Sequence, residues 1–201
     1  MLLPLPIQNL IEKISKLPGV GKRQATRMVF YLISKKEKLK EIREDLNLIE
    51  KEIVICPDCF FPFQKTKNLK KCPICSHPKR NKSIICVVEK ETDLLTIEET
   101  RKFNGLYHIL GGLISPVDPQ SYKNLKIKRL LERIKENKIK EIILALPLTP
   151  QGEMTSLYLE RILKKYSIKI TTLGKGIPSG GEIEFADSQT IEGAFKHRES
   201  L

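Results

Sequence analysis

Two pairs of cysteines have the spacing of a metal site. They are Cys56-Pro-Asp-Cys59 and Cys72-Pro-Ile-Cys75, with 12 residues between them. Each pair places two thiolates on one tight turn, and two pairs complete the all-sulfur tetrahedron of structural zinc. The alternative, a pair of redox dithiols, needs a thioredoxin-like βαβ context that this segment lacks. The pattern predicts a structural Zn²⁺ bound by all four cysteines, with no position left open for chemistry.

A glycine turn joins two helical patterns near the start of the chain. It consists of Leu17-Pro-Gly-Val-Gly21. Pro18 ends the incoming helix, because the residue before a proline disfavours the helical conformation. Gly19 and Gly21 permit positive φ and a close approach of another backbone. Val20, between them, is placed to pack the turn onto the core.

Cations follow this turn at once. The next helix begins with Lys22, and Arg23 and Arg27 share one of its faces. A helix N-terminus offers unpaired N–H groups and a positive dipole, which suit a phosphate. Residues 17–32, LPGVGKRQATRMVFYL, resemble the helix-hairpin-helix element that binds nucleic-acid backbones without reading sequence. The resemblance implies DNA binding by Gly19, Gly21, Lys22, Arg23 and Arg27. A turn between packed helices with no ligand is the alternative.

The chain is basic, with a formal net charge of +12. Residues 1–80 contain 17 basic and 8 acidic side chains, so most of the excess lies early. A region of this kind attracts polyanions, nucleic acid first and anionic membrane second. A solvated lysine-rich surface is an equally weighted alternative. A second candidate DNA contact is a run of cations with no acid among them, Lys65, Lys67, Lys70, Lys71, Lys79, Arg80 and Lys82.

Acidic residues follow two apolar runs later in the chain. Residues 84–88 end at Glu89, and residues 142–146 lead through a turn to Glu153. A carboxylate at the carboxyl end of a strand points into the crevice where α/β proteins bind ligands, although most acids simply lie on the surface. This order resembles the Toprim fold of primases and type IA topoisomerases, in which such acids hold Mg²⁺.

The resemblance also identifies carboxylates that are missing. Toprim enzymes use a DxD pair because Mg²⁺ is a hard cation that demands oxygen ligands. Pro147 and Thr149 occupy the two corresponding positions, so only Glu89 and Glu153 remain. The chain also lacks a phosphate-binding P-loop. We therefore expect no enzyme activity. The alternatives are a Toprim-type Mg²⁺-dependent phosphoryl-transfer enzyme, a primase or nuclease, and an RNA-binding zinc-ribbon protein.

Apolar periodicity predicts the elements that position these residues. Three helical stripes precede residue 50, and short apolar runs then alternate with amphipathic stretches, which indicates a parallel sheet covered by helices. The helical stripes lie at 7–14, 25–32 and 39–49, the strands at 84–88, 106–110, 142–146 and 168–173, and the later helices at 127–134 and 159–166.

The order of the parts resembles the RecR family of bacterial recombination mediators over nearly the whole chain. The tail, Gly176-Ile-Pro-Ser-Gly-Gly-Glu-Ile-Glu-Phe-Ala-Asp187, belongs to the resemblance. It implies a DNA-binding mediator of recombinational repair that acts on single- or double-stranded DNA. It also implies a RecO-type partner, loading of a RecA-type recombinase on single-stranded DNA, and a ring or clamp formed by a homo-oligomer, a tetramer. The chain departs from the family pattern at Pro147 and Gln151.

These observations predict an α/β protein in four parts. They are a helix-hairpin-helix region at 1–52, a four-cysteine zinc finger at 53–82, a Toprim-like parallel-sheet domain at 83–173, and a tail at 174–201 with a glycine loop, a strand and a helix that contacts other copies. No apolar run approaches 18 residues, and the apolar start precedes the first cation, the reverse of a secretory signal. We expect a cytoplasmic, nucleoid-associated protein without membrane contact.

Overall fold

The computed structural model describes residues 3–66, 68–118, 120–174 and 176–198. The chain divides into two compact units, Met1–Ile53 and Val54–Leu201. The predicted fold class is confirmed, because N-terminal helices, a four-cysteine cluster and a parallel four-stranded sheet follow one another along the chain. Of the predicted features, Lys67 and the last residues of the tail, 199–201, lie outside the described residues.

The first unit contains helices α1 (Leu5–Ser15), α2 (Lys22–Ser34) and α3 (Lys36–Glu52). Ile11, Ala25 and Val29 form its buried core, and Val20 packs against them from the turn, as its position predicts. Helix α3 coincides with the third apolar stripe but buries none of its residues. Its apolar side chains are therefore left on the surface of the unit.

The turn between α1 and α2 uses its two glycines differently. Gly19 has a φ of +76°, which is the left-handed conformation that favours glycine. Gly21 has a φ of −78° and a ψ of 163°, because it is the N-cap of α2 and an N-cap takes extended backbone. Only Gly19 uses the positive φ that both residues permit.

The cysteine segment forms a small ribbon at the start of the second unit. Strands β1 (Ile53–Ile55) and β2 (Pro62–Gln64) pair as a two-stranded sheet, and α4 (Pro73–Ser76) is a single short turn of helix. Its buried apolar side chain is Phe63, which packs with three of the cysteines. So little apolar material cannot by itself stabilise a segment of this length.

The rest of the second unit alternates strands and helices. The strands are β3 (Ile84–Val88), β4 (Leu106–Ile109), β5 (Glu141–Ala145) and β6 (Lys169–Thr172), and the helices are α5 (Glu91–Glu99), α6 (Ile127–Glu136) and α7 (Pro150–Leu163). The strands run parallel in the order β4-β3-β5-β6, so β4 and β6 are the edges. The predicted parallel sheet is confirmed. All four strands lie within two residues of their predicted ends.

Both faces of the sheet are buried. Along β3, Ile85 and Val87 face a core shared with α6 and α7, whereas Cys86 and Val88 face a core shared with α5 and the finger. Side chains of a strand alternate between the two faces, so a strand covered on both sides reads as a continuous apolar run. Burial raises the pKa of the Cys86 thiol to about 12, so Cys86 is an inert core residue.

The tail differs from its prediction in one respect. A 3-10 turn at Ile183–Phe185 precedes helix α8 (Ser188–Lys196), and residues 176–198 contain no strand. The alternating pattern of Ile183-Glu-Phe185 imitates a strand, but both apolar side chains are exposed and no described strand pairs with this segment. The predicted strand is therefore wrong, whereas the predicted final helix is present.

We predict that Gly152→Ala destabilises the second unit. The added Cβ would overlap the carbonyl oxygen of Pro147, a backbone atom that cannot move freely. The strain should cost about 1–3 kcal/mol, which exceeds the roughly 1 kcal/mol that alanine gains over glycine in a helix. Urea unfolding measures the difference. Gly176→Ala is the matched control, because a Cβ there meets nothing within 4 Å; equal stabilities of the two variants would contradict the prediction.

Candidate metal centre and nucleic-acid interface

The four cysteine sulfurs of the finger come together in one cluster. The Sγ atoms of Cys56, Cys59, Cys72 and Cys75 all lie within 4.8 Å of one another, and the Cys59 and Cys72 sulfurs are 3.4 Å apart. A tetrahedral site with metal–sulfur bonds of about 2.3 Å requires sulfurs about 3.8 Å apart. The cluster therefore has the dimensions to hold a metal ion, and all four ligand positions come from the protein.

Backbone amides of the second knuckle point at the sulfurs. The Cys72 amide donates to the Cys56 sulfur and the Cys75 amide to the Cys72 sulfur, each at 3.4 Å. Hydrogen bonds from the Cys59 and Cys72 side chains lower the pKa of the Cys56 thiol, whereas the neighbouring sulfurs raise the pKa of Cys75. Four thiolates this close repel one another, and a cation between them removes that penalty.

Asp58, inside the first knuckle, is a residue that the sequence analysis did not single out. Its carboxylate is 2.6 Å from a guanidinium nitrogen of Arg129 on α6 and also pairs with Lys71. Burial alone would raise the pKa of Asp58, but these hydrogen bonds hold it below its usual value. The one signal available in the sequence is an acid between two cysteines in a strongly basic segment.

The glycine turn presents an open, positive surface within the first unit. Lys22, Arg23 and Arg27 are exposed on the first turns of α2. Gly21 caps that helix without a side-chain hydrogen bond, and the first turn contains no acid. A Cβ placed on Gly19 or Gly21 would meet nothing within 4 Å. The N–H groups and dipole at this helix start are therefore accessible to an anion such as a phosphate.

The competing basic run is partly engaged by the protein itself. Lys71 pairs with Asp58, and Arg80 binds Glu98 and donates to the Gly105 carbonyl at 2.9 Å. Lys65 and Lys70 are exposed, as are Lys79 and Lys82. Fewer of these cations are thus available to DNA than the sequence suggests.

The two predicted acids lie near the carboxyl ends of β3 and β5. Glu89 is half-buried directly after β3, and Glu153 is exposed in the first turn of α7. Thr149, which the sequence analysis compared with an acid of Toprim enzymes, caps α7 by accepting a hydrogen bond from the Gly152 amide. Within the described part of the chain, no group of three acids or other metal-ligand residues gathers here, since the cysteine cluster is the only such group.

An apolar groove lies among the helices of the first unit. Its volume is about 850 Å³, and it is lined mainly by apolar side chains of α1, α2 and α3, with four polar residues among them, Gln24, Arg27, Arg43 and Asn47. Leu39, Ile42 and Leu46 contribute the α3 side, and each is at least 41% exposed. None of the described helices has the length and hydropathy of a transmembrane segment.

Comparison with known proteins covers nearly the whole chain. Residues 7–46 match the family described as RecR, helix-hairpin-helix, residues 83–174 match the Toprim domain, and residues 176–199 match RecR, C-terminal. Similar proteins include the Recombination protein RecR of Lactobacillus acidophilus, with 40% identity over 98% of both chains. That of Thermobifida fusca is 38% identical over 97% of this chain and 96% of its own. That of Moorella thermoacetica is 37% identical over the full length of both. This chain belongs to the RecR family of recombination proteins.

Proposed function

We propose that this protein is a non-enzymatic, DNA-binding mediator of recombinational repair that works at the nucleoid. The observation that carries the proposal is the open glycine turn, where Lys22, Arg23 and Arg27 lie at a helix start that no side chain caps. Contacts from such a site go to the phosphate backbone, so they position the protein on DNA without selecting a sequence. A mediator that must act at any damaged site requires that property.

The resemblance to the family extends the proposal to partners. A RecO-type protein would join this chain on DNA, and together they would load a RecA-type recombinase onto single strands. The four-part division at residues 52, 82 and 173 belongs to the same proposal. In it the first part binds DNA, the finger and sheet form the body, and the tail contacts other copies.

The Toprim-like sheet does not act as a catalyst in this proposal. Pro147 and Thr149 supply no carboxylate, and in the described part of the chain no group of three metal-ligating side chains forms around Glu89 and Glu153. Thr149 has a structural role instead, because its hydroxyl caps α7. These features favour a binding protein over a primase or nuclease.

Our first prediction for this function concerns the turn cations. Arg23→Glu should weaken binding by about the same factor on unrelated DNA sequences, because the contact is to phosphate and not to bases. Neutralising the same residue in Arg23→Gln should flatten the log–log salt dependence of binding by about one unit. Fluorescence anisotropy on single-stranded and duplex oligonucleotides, at several salt concentrations, measures both effects.

Two control variants make this test specific. Lys128→Glu reverses an exposed charge on α6, far along the chain from the turn, and should bind DNA nearly as the parent does. The pair Lys65→Glu and Lys70→Glu tests the finger's basic run without disturbing the Lys71 bond to Asp58. If that pair abolishes binding while Arg23→Glu has no effect, DNA binds at the finger and the turn is a structural feature only.

Self-association is the second part of the proposed function. A ring or clamp needs surfaces that bind other copies, and an exposed apolar groove of this size is costly to leave in water. We propose that the groove on the first unit, lined by Leu39, Ile42 and Leu46, contributes one such surface in a tetramer. The exposed Phe185 and Phe195 of the tail are candidates for a second surface.

We predict that Leu46→Asp lowers the mass of the assembly in solution. A carboxylate in the groove must be desolvated when a second copy covers it, which opposes association. Light scattering on a sizing column measures the mass across a concentration series. Leu48→Asp is the matched control, because Leu48 is exposed on the same helix but does not line the groove. A monomeric parent protein at every concentration would contradict the clamp.

Zinc is the metal that we propose for the cysteine cluster. Four thiolates in a tetrahedron suit Zn²⁺, and a site filled by four protein ligands has no position for substrate or water. The ion would therefore stabilise the finger and take no part in a reaction. Its binding free energy would be folding free energy for this segment, about 10 kcal/mol or more in isolated finger peptides.

We predict one zinc per chain in the parent protein and none in Cys72→Ser, whose finger should lose its fold. Elemental analysis after purification without added metal measures the stoichiometry, and thermal unfolding measures the loss of stability. Cys86→Ala is the control: Cys86 is the cysteine outside the cluster, so this variant should retain its zinc. A parent protein without stoichiometric zinc would overturn the assignment.

A further inference from the structure

Strand β4 is an edge of the parallel sheet, yet its outer side is not open. Residues 106–109 pair with β3 on one side only, and the Leu110 amide continues that ladder by donating to the Val88 carbonyl. In a parallel strand, alternate residues direct their backbone groups to opposite sides. Tyr107 and Ile109 therefore direct theirs to the outer edge, where unpaired groups would invite association with other chains.

The first cysteine knuckle and one arginine occupy that outer edge. The Ile109 amide donates to the Cys59 carbonyl at 3.0 Å. The Tyr107 carbonyl accepts a hydrogen bond from the Arg133 guanidinium at 2.6 Å. The finger is thus joined to the sheet by backbone as well as side-chain contacts.

Arg133 also binds a carbonyl of the first cysteine knuckle, that of Asp58. The nitrogen that donates to Tyr107 also lies 3.2 Å from the Asp58 carbonyl oxygen and 3.5 Å from Nδ1 of His108. Since a guanidinium can only donate, Nδ1 is the acceptor and the His108 Nε2–H donates to the Lys126 carbonyl at 2.9 Å. Burial, together with the charge of Arg133, lowers the pKa of His108 to about 3, so the ring stays neutral.

Arg133 is a buried cation, with only 2% of its surface exposed. A charge in that position is costly unless it is fully hydrogen-bonded and balanced nearby. The Asp58 carboxylate lies in the same knuckle but is bonded to Arg129 and Lys71. A tetrathiolate site that holds a divalent cation carries net negative charge, and a buried guanidinium beside its knuckle would offset that charge.

We propose, on the basis of the zinc site proposed above, that Arg133 is a positioning residue for the metal centre, and that metal binding by the four cysteines fixes the outer edge of β4. The metal ion fixes the sulfurs of the first knuckle, while Arg133 and Ile109 fix its two consecutive carbonyls at Asp58 and Cys59. When the metal leaves, the cysteine sulfurs are no longer fixed, and the carbonyls of Asp58 and Cys59 lose their fixed positions as well. The hydrogen bond that the Ile109 amide of β4 donates to the Cys59 carbonyl is then weakened. Replacing a residue that orients a metal's ligands commonly lowers the affinity for the metal 10- to 100-fold.

Hydrogen exchange on the parent protein tests the strand. The protein is compared as purified and after zinc removal by a strong chelator under reducing conditions. Peptides that contain Ile109 should exchange at least tenfold faster without metal, whereas peptides of the opposite edge, β6, should exchange at an unchanged rate. Equal protection of β4 in both states would overturn the proposal, as would a uniform loss over all four strands.

Metal release tests the arginine. Arg133→Met keeps the length of the side chain and removes the guanidinium, and it should release zinc to a colorimetric chelator about tenfold faster than the parent. Leu130→Ala is the control. Leu130 is fully buried on the same helix, but it belongs to the core on the face of the sheet away from the finger. It should lower the unfolding stability and leave the release rate unchanged.

A second variant keeps the test decisive if Arg133→Met fails to fold. Arg133→Lys keeps the positive charge but is one bond shorter, so its ammonium falls short of the Asp58 carbonyl, and it too should release zinc several-fold faster. Release at the parent's rate from a folded Arg133→Met, or from Arg133→Lys when the first variant does not fold, would show that the metal site does not depend on the contact between Arg133 and the Asp58 carbonyl. If Leu130→Ala releases zinc as fast as Arg133→Met, then Arg133 affects zinc release only through overall stability, and its positioning role is wrong.

Discussion

The outer edge of β4 is the place where the cysteine segment and the parallel sheet depend on each other. The Cys59 carbonyl accepts from the Ile109 amide, and Arg133 links the carbonyls of Tyr107 and Asp58. A short ribbon with few apolar side chains has no adequate core, and a bare strand edge is open to association. Each part supplies what the other lacks: the finger closes the edge, and the sheet gives the knuckle a fixed frame.

The positive charge of the chain serves two separate purposes. Some cations bind internal partners, as Arg129 does with Asp58 and Arg80 does with Glu98. Others, such as Arg23 and the residues beside it on α2, are exposed at a helix start without an acid in its first turn. Net charge cannot distinguish the two, because a lysine or arginine adds the same +1 to the count whether it is paired with an acid or free. Only the position of each cation indicates which surface can attract a polyanion.

Periodicity and spacing predict those features that local chemistry determines. The strand at 84–88 is evident because it is buried on both faces, and the left-handed Gly19 follows from a turn that needs it. Contacts distant in sequence leave little signal: Asp58 and Arg129 are 71 residues apart. The sequence also does not show which apolar side chains are exposed. Residues 183–185 alternate like a half-buried strand, but they form a 3-10 turn with both apolar side chains exposed. The apolar stripe of α3 likewise predicts a helix without showing what covers it.

The residues at the carboxyl end of the sheet have a structural role in starting helix α7. Where Toprim enzymes place a metal-binding acid after the strand, Thr149 accepts a hydrogen bond from the Gly152 amide and begins α7. Gly152 in turn lies so close to the Pro147 carbonyl that no side chain fits. This tight turn positions a helix that buries Leu159 and Leu163 against the sheet. Aspartate is as good an N-cap as threonine, so the fold itself does not decide between an acid and Thr149 at this position.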